Sequence, residues 1–172
     1  VLRPGDHLRM KLVNHLPPAP ADAKNAYGTD AMMNAMLQAN PVNIHTHGLI
    51  VEPRKADASD PTWGDDVYVL GYPAGKLPTM VDADETATDK PIQYDIYIPQ
   101  GHPSGMFWFH PHVHGLGVNQ ISEGLSGIIT IGDVTDYLSV PAGLSTIPVR
   151  YFALKDMQVL SNGNALDQED SL

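Results

Sequence analysis

Cysteine is absent from this 172-residue chain. Its absence excludes disulfide bonds, thiolate metal sites and thiol nucleophiles, and it leaves the cellular compartment open. The sequence also has no apolar run of about 18 residues and no basic start followed by a short apolar stretch, so it predicts neither a membrane span nor a signal peptide. The segment Val1–Asp6 is typical of a strand end and its turn. We therefore expect the chain to begin within a domain, without the first strand of that domain.

Basic residues are few. The chain has 10 Lys and Arg against 20 Asp and Glu, which gives a formal net charge of −10. A charge of this sign repels nucleic acid and anionic membrane surfaces, so neither is indicated as a partner. The hydrophobic content of 42% is enough for a sizeable core, and the length suits one domain with a piece of a second.

Hydrophobic alternation with a period of two predicts a β-protein. Apolar and polar residues alternate over 8–12 and again over 92–98. Further strand candidates are separated by segments rich in Gly, Pro, Asp and Asn; they are 42–51, 66–70, 105–110, 126–132 and 148–154. Many short strands with such turns favour an all-β sandwich or barrel.

Three segments depart from this alternation. About 29–39 predicts a short helical insertion that Asp30 caps and Pro41 ends. Residues 136–147 carry Pro and Gly with little periodicity, which predicts a linker between a first domain at 1–135 and the start of a second at 148–172. The end of the chain predicts a strand and then a hairpin at 162–164.

Two His-X-His pairs are the main functional signal. His45 and His47 lie in NIHTHGLIVEP, and His110 and His112 lie in SGMFWFHPHVHG. In a strand, side chains at i and i+2 project from the same face, so two such strands would direct four imidazoles at one small volume. Imidazole suits copper, zinc, iron and nickel, whereas magnesium and calcium prefer oxygen ligands. The pattern predicts a transition-metal site built by two strands.

The segments around both pairs resemble the N-terminal domain of multicopper oxidases, the laccase-like family of cupredoxin-fold enzymes. The matching segments are RPGDHLRMKLVN, NIHTHGL, TWGDDVYV, GMFWFHPHVHG and QISEGLSGIITIGD, which together span most of 1–135 in the family's order. Residues 148–170 resemble, less specifically, the opening of the family's second cupredoxin domain. The segments HTHG and GDDVYV resemble those of a bacterial-type branch of this family. The resemblance implies a cupredoxin-like Greek-key β-sandwich.

The resemblance also implies copper ligands, residue by residue. His45 would bind the type 2 copper and His47 the type 3 pair, while His110 and His112 would each bind one copper of the type 3 pair. Such a trinuclear cluster reduces dioxygen to water with electrons from a type 1 copper held by a cysteine. This chain departs from the family, because it supplies half of the cluster's imidazoles and has no His-Cys-His segment.

The missing ligands imply a partner. We expect a C-terminal cupredoxin domain, or another subunit, to complete the cluster, with O₂ and a small reducing substrate as reactants. The identity of that substrate stays open, because the family's substrate pocket lies beside the type 1 copper. The resemblance implies an extracellular or periplasmic location.

Asp65 in TWGDD is a candidate of another kind. It matches the family's acidic residue beside the cluster, which implies that it assists proton delivery during oxygen reduction. A carboxylate near copper-bound water is chemically suited to that task. The alternative is a turn aspartate that follows Gly64.

Other residues of ligand type have simpler interpretations. His114 extends the alternation past the matching ligands, so we expect it beside the site or on the polar surface. Three histidines in turn-like or polar segments are predicted surface residues: His7, His15 and His102. Three methionines offer thioethers to Cu(I), but their spacing favours the apolar face of a short helix: Met32, Met33 and Met36.

Two alternatives stay open. His45-X-His47 followed by Glu52 has the metal-binding spacing of cupins, a mononuclear dioxygenase and isomerase class. Cupin-like sequences place glycines at fixed distances around this motif, whereas here position 39 is Ala and Gly64 is the next glycine after Glu52. They also lack a distant second His-X-His pair. The other alternative is a non-catalytic copper-binding cupredoxin domain, which would show no oxygen chemistry even with its partners.

Overall fold

A computed structural model describes residues 1–18, 34, 37–137, 141, 148–156, 159 and 161–163. These residues form mostly short strands with little helix, as the alternation predicted. The strands are β1 (His7–Leu12), β2 (His45–His47), β3 (Val69–Gly71), β4 (Thr86–Thr88), β5 (Ile92–Tyr97), β6 (Gly105–His110) and β7 (Gly127–Ile131). One helix, α1 (Gly117–Ser122), lies between β6 and β7, and a 3₁₀ turn at Val134–Tyr137 follows β7.

The described strands form three small sheets. Strand β1 pairs antiparallel with β5, and β3 pairs parallel with β4. Strands β2, β6 and β7 form an antiparallel sheet with β6 in the centre. Isolated bridges extend the pairing at Leu2–Ile131, Val42–Gly71 and Trp63–Tyr94. In every sheet, the paired strands are therefore far apart in the sequence, with a long loop or other elements between them.

Strand β5 shows why the alternation predicts this fold. Its inward residues Ile92, Tyr94 and Ile96 are at most 2% exposed, and the residues between them are more accessible. Apolar side chains of β1 pack against the same cluster. Full burial of a large apolar side chain stabilises the folded state by about 1.5–3 kcal/mol. The β1–β5 pair is thus held by one well-packed face.

The sheet formed by β2, β6 and β7 has an inner and an outer face. Phe107 and Phe109 pack inward against a cluster that includes Ile129. At the alternate positions, Met106 and Trp108 are 57% and 37% exposed. Because successive side chains alternate along a strand, His110 shares the outer face with Trp108.

Strand β2 follows the same rule. Thr46 is 1% exposed, while His45 is half-buried and His47 is exposed. Both histidines therefore lie on the outer face of the sheet.

Several elements differ from the sequence prediction. The strand predicted at 148–154 is wrong, since the described residues 148–156 have no regular structure and pair with no other strand among the described residues. Strand β4 and helix α1 were not predicted, because each is too short and too polar to show a period. Of 42–51, only β2 and a bridge at Val42 are in strand conformation.

Other predicted segments lie largely outside the described residues. They are the helical insertion at 29–39 with Met32, Met33 and Met36, the linker at 136–147, and the hairpin at 162–164. Leu37 and Gln38 are helical, and Asn40 follows with a left-handed φ of 54°, a conformation common where helices end. The division into two domains stays a prediction. No helix among the described residues has the length and apolar character needed to cross a lipid bilayer.

Candidate metal centre

The pairing of β2 with β6 brings the two His-X-His segments together. His45 lies opposite His110, and His47 lies opposite Trp108. Opposed residues of an antiparallel pair have Cβ atoms about 4.5–5.5 Å apart on one face of the sheet. The register alone therefore places an imidazole of one strand beside an imidazole of the other.

Three of the four predicted ligands form a group that could hold a metal ion. The ligating atoms of His45, His47 and His110 all lie within 4.8 Å of one another. Two nitrogens that bind one ion at about 2.1 Å each are no more than about 4.2 Å apart. The three nitrogens are therefore close to the spacing that a shared ion needs.

The contacts of His110 prepare one of its nitrogens for a metal. Its Nδ1–H donates to the carbonyl of Pro111 at 2.7 Å, which leaves Nε2 as the nitrogen that carries a lone pair. That Nε2 lies 3.1 Å from Nδ1 of His47. A bound ion would replace the proton that these two nitrogens share.

Burial favours the neutral, ligating form of two imidazoles. Removal from water lowers the pKa of His110 below its ordinary value, and the neighbouring His45 and His47 lower it further, against the opposing hydrogen bond to Pro111. Removal from water likewise lowers the pKa of His112. A neutral imidazole keeps the lone pair that a metal needs.

Asp65 lies directly against strand β2. Its Oδ1 accepts a hydrogen bond from the backbone N–H of Thr46 at 2.6 Å, and its side chain is 8% exposed. Its Oδ2 lies 3.0 Å from Nδ1 of His45, although that nitrogen forms no well-aligned hydrogen bond within the described residues. A carboxylate next to one ring nitrogen of a histidine orients the other nitrogen towards a metal. Asp65 thus does more than end a turn, while its part in proton delivery stays a prediction.

His112 lies just beyond the three-histidine group. Its ring centroid is 5.4 Å from that of His45 and 6.1 Å from that of His110. Its backbone N–H donates to Oδ1 of the fully buried Asn43 at 2.6 Å, and Asn43 in turn donates to the carbonyl of Val67 at 2.7 Å. The ring Nδ1 is buried without a hydrogen-bond partner among the described residues. An unpaired buried nitrogen of this kind fits a metal ligand.

The other histidines lie elsewhere. His114 is exposed, with its ring 5.5 Å from that of His112. His7 and His15 are exposed, as predicted. The surface prediction for His102 is wrong, since this residue is 5% exposed.

His102 is buried because both of its ring nitrogens are used by the backbone. Its Nε2 accepts from the N–H of Ile50 at 2.9 Å, and its Nδ1–H donates to the carbonyl of Pro103 at 2.8 Å. The ring thereby joins two loops beside Phe107. The turn-like sequence around it holds no signal of these long-range bonds.

Two residues that contact the histidines were not predicted from the sequence, Asn43 and Trp108. Alternation alone could have pointed to Trp108, which lies two residues before His110 and so on the same face. Asn43 binds a loop 69 residues away. No local pattern carries that information.

Comparison with models of known protein families and with curated protein sequences finds no match to this chain. The motifs and the geometry of the histidines are therefore what a functional assignment rests on.

Proposed function

We propose that this chain is the N-terminal cupredoxin-type domain of a multicopper oxidase and that it supplies half of the ligands of a trinuclear copper cluster. Those ligands are His45, His47, His110 and His112. The observation that carries the proposal is the group of three imidazoles whose ligating atoms lie within 4.8 Å of one another. The fourth ring, with its unpaired nitrogen, lies close enough to join them.

The donor set favours copper over the harder cations. All members of the group are imidazoles, and the nearest carboxylate, Asp65, contacts a ring nitrogen of His45. Imidazole sites suit copper and zinc, whereas an oxygen-rich set would suit magnesium or calcium. The resemblance of the surrounding segments to multicopper oxidases then selects copper.

The fold supports the proposal in a general way. A β-rich domain that pairs β1 with β5 and β2 with β6 is compatible with a Greek-key sandwich of cupredoxin type. The histidines lie on the outer face of one sheet, where a second cupredoxin domain or subunit would bring the remaining ligands. Residues 148–172 would begin the next domain, and the same resemblance implies a secreted or periplasmic protein.

Each residue of the site has a chemical task in this proposal. Bound copper would supply the transfer of four electrons to dioxygen, with water as the product. The imidazoles hold the metal, and the carboxylate of Asp65 keeps His45 oriented. Asp65 would also accept a proton and, once protonated, donate it during oxygen reduction. The small reducing substrate would bind outside this chain.

The cupin alternative needs Glu52 as its acidic ligand. Glu52 is exposed and lines a cavity with His7, Arg54 and Asp95, and it is not among the residues that can share an ion with the histidine pairs. A non-catalytic copper-binding domain would have the same site, so only activity separates it from an oxidase.

The test is copper content and O₂ uptake of the intact protein that contains this chain. We expect three copper ions at the cluster, and we expect His45→Ala and His110→Ala to lower both copper content and O₂ uptake. His15→Ala, at an exposed histidine outside the group, is the matched control. Full O₂ uptake with one copper ion or none would exclude the oxidase, and bound copper without O₂ uptake would favour the non-catalytic domain.

A further inference from the structure

We propose that Trp108 is a positioning residue that holds the ring of His47 in the orientation needed to bind metal. The inference rests on the proposed metal site, and it concerns a side chain that the multicopper oxidase motifs do not include among the ligands. Trp108 touches no ion in this role and acts through His47.

The indole contacts one ligand from each strand. Its centroid lies 4.9 Å from that of His47, with 32° between the ring planes. The centroid of His110 is 4.2 Å away, at 31°. Aromatic rings attract one another at such separations. Trp108 therefore bridges the two His-X-His pairs.

His47 needs this support more than the other three histidines. Asp65 lies against Nδ1 of His45, and the carbonyl of Pro111 accepts from Nδ1 of His110. The backbone of His112 is bound by Asn43. His47 is exposed, and the polar contact described for its ring is the one with Nε2 of His110.

Metal binding removes that one polar contact. Nδ1 of His110 is bound to Pro111, so His110 would turn the lone pair of Nε2 to the metal, and its hydrogen bond with Nδ1 of His47 would be lost. An exposed side chain is free to sample its rotamers unless packing restricts it. The indole, tilted by 32° against the His47 ring, is then a contact that keeps that ring in place.

Trp108 is itself fixed on its far side. In the register of the sheet, Trp108 lies opposite His47 of β2 and opposite Ile128 of β7. The three side chains form a row across three strands, and side-chain pairs of this kind stabilise sheets. Beyond the row, the indole borders a cavity of about 250 Å³ that Ile121 and Leu154 also line. The contact with His47 would explain why a large apolar side chain stays 37% exposed at this position.

The test measures the affinity of the full chain for Cu²⁺, buffered by a competing chelator. Loss of a residue that orients a metal ligand typically lowers affinity about 10–100-fold, and we expect Trp108→Ala to fall in that range. Trp108→Phe keeps an aromatic ring on His47 and should recover most of the affinity. Met106→Ala, an exposed apolar residue on the same face of β6, is the matched control and should bind as the parent does.

A double-mutant cycle separates positioning from a general effect on the fold. If Trp108 acts through His47, Trp108→Ala should change the affinity of a His47→Ala variant very little, because interacting pairs are non-additive. An equally large loss in both backgrounds, or parent-like affinity of Trp108→Ala, would overturn the inference. Thermal unfolding of each variant shows that it is folded.

The same titration distinguishes this inference from the proposed function. A parent chain that binds Cu²⁺ through the histidines, together with an unaffected Trp108→Ala variant, removes the role of Trp108 alone. A parent chain whose Cu²⁺ binding is insensitive to His45→Ala and His110→Ala removes the metal site, and both proposals with it.

Discussion

An unpaired ring nitrogen in a buried position costs about 1–3 kcal/mol, and His112 has one among the described residues. His114, two residues later, is exposed to solvent. From the pattern His-X-His-X-His alone, His112 and His114 are equally good candidates for a metal ligand. Burial separates them, because a metal would give the buried, unpaired nitrogen of His112 a partner, whereas the ring of His114 is already in contact with water.

This difference leads to a prediction for the two residues. Replacing His112 with Ala should abolish the absorption of the paired coppers and the reduction of oxygen in the intact protein, because a metal–nitrogen bond is lost. The His114→Ala variant should retain both at a detectable level, since loss of a neighbouring group costs only about 10–100-fold. Absorption spectra and O₂ uptake measure the two effects. The reverse pattern would shift the ligand assignment by two residues.

Asp65 is the residue for which structure and proposed chemistry are most closely linked. Its carboxylate accepts from the N–H of Thr46 and lies 3.0 Å from the ring of His45. Asparagine keeps an oxygen for Thr46 but removes the charge and the ability to carry a proton. We expect Asp65→Asn to slow oxygen reduction about 10²–10⁴-fold, with copper content unchanged and reduction of the type 1 copper nearly normal.

Two measurements decide the role of Asp65. Copper quantification combined with single-turnover reduction and reoxidation separates the proton role from a structural one. Copper loss in Asp65→Asn would mean that the carboxylate holds the site together. Turnover at the parent rate across acidic and neutral pH would mean that protons arrive by another route. Asp65→Ala, which also loses the bond to Thr46, should lower copper content.

At the scale of elements, the β1–β5 pair shows how charges on an outer face support a strand pairing. Asp95 lies opposite Arg9 in the register and accepts from Nε of Arg9 at 2.9 Å and from Nδ1 of His7 at 2.5 Å. Partial burial raises the pKa of Asp95, but the hydrogen bonds from His7 and Arg9 outweigh it and hold the pKa below its ordinary value.

The lowered pKa of Asp95 predicts a pH-dependent contribution to stability. Because the folded protein binds this proton less tightly than the unfolded chain, the stabilisation is present above the ordinary pKa and is lost as pH falls through the lower, folded value. Asp95→Asn should therefore reduce the free energy of unfolding by roughly 0.5–1 kcal/mol at neutral pH and by less at about pH 3. Denaturant unfolding at both pH values measures the change.

A matched control for Asp95 is available nearby. Asp84 is an exposed acid, and its replacement with Asn should change the free energy of unfolding little at either pH. A loss in Asp95→Asn that is as large in acid as at neutral pH would show that the carboxylate acts through its shape rather than its charge.

At the scale of the whole molecule, the proposed metal ligands of β2 and β6 lie on an outer face of a sheet rather than in an enclosed cavity. His47 and Trp108 are accessible there, while Phe107 and Phe109 occupy the inner side. In the proposed oxidase, such a surface would carry half of the imidazoles, and the partner domain or subunit would supply the other half.

The incomplete ligand set predicts how the isolated chain should behave. Metal affinity depends on the number of ligands and on a preformed geometry. The chain alone should bind Cu²⁺ more weakly and in lower stoichiometry than the assembled protein, which should hold three ions near this face. Equilibrium dialysis with copper quantification on both forms gives the comparison. Equal affinity and stoichiometry in the two forms would contradict a shared cluster.

The sequence by itself determined which residues could bind a metal and much of the local structure. The two His-X-His pairs define the ligand type, and the predicted strands at 8–12, 92–98 and 105–110 correspond to β1, β5 and β6. These features are local: a period of two sets which side chains share a face, whatever the strand later pairs with.

Only the tertiary structure decided which imidazoles meet. The contact between His47 and His110 spans 63 residues and depends on the register of β2 against β6. A slip of one residue would turn one histidine pair to the inner face, and no local pattern reports that register. The same holds for the burial of His102 and the contact of Asp65 with His45, since each joins loops and strands that only the folded chain brings together.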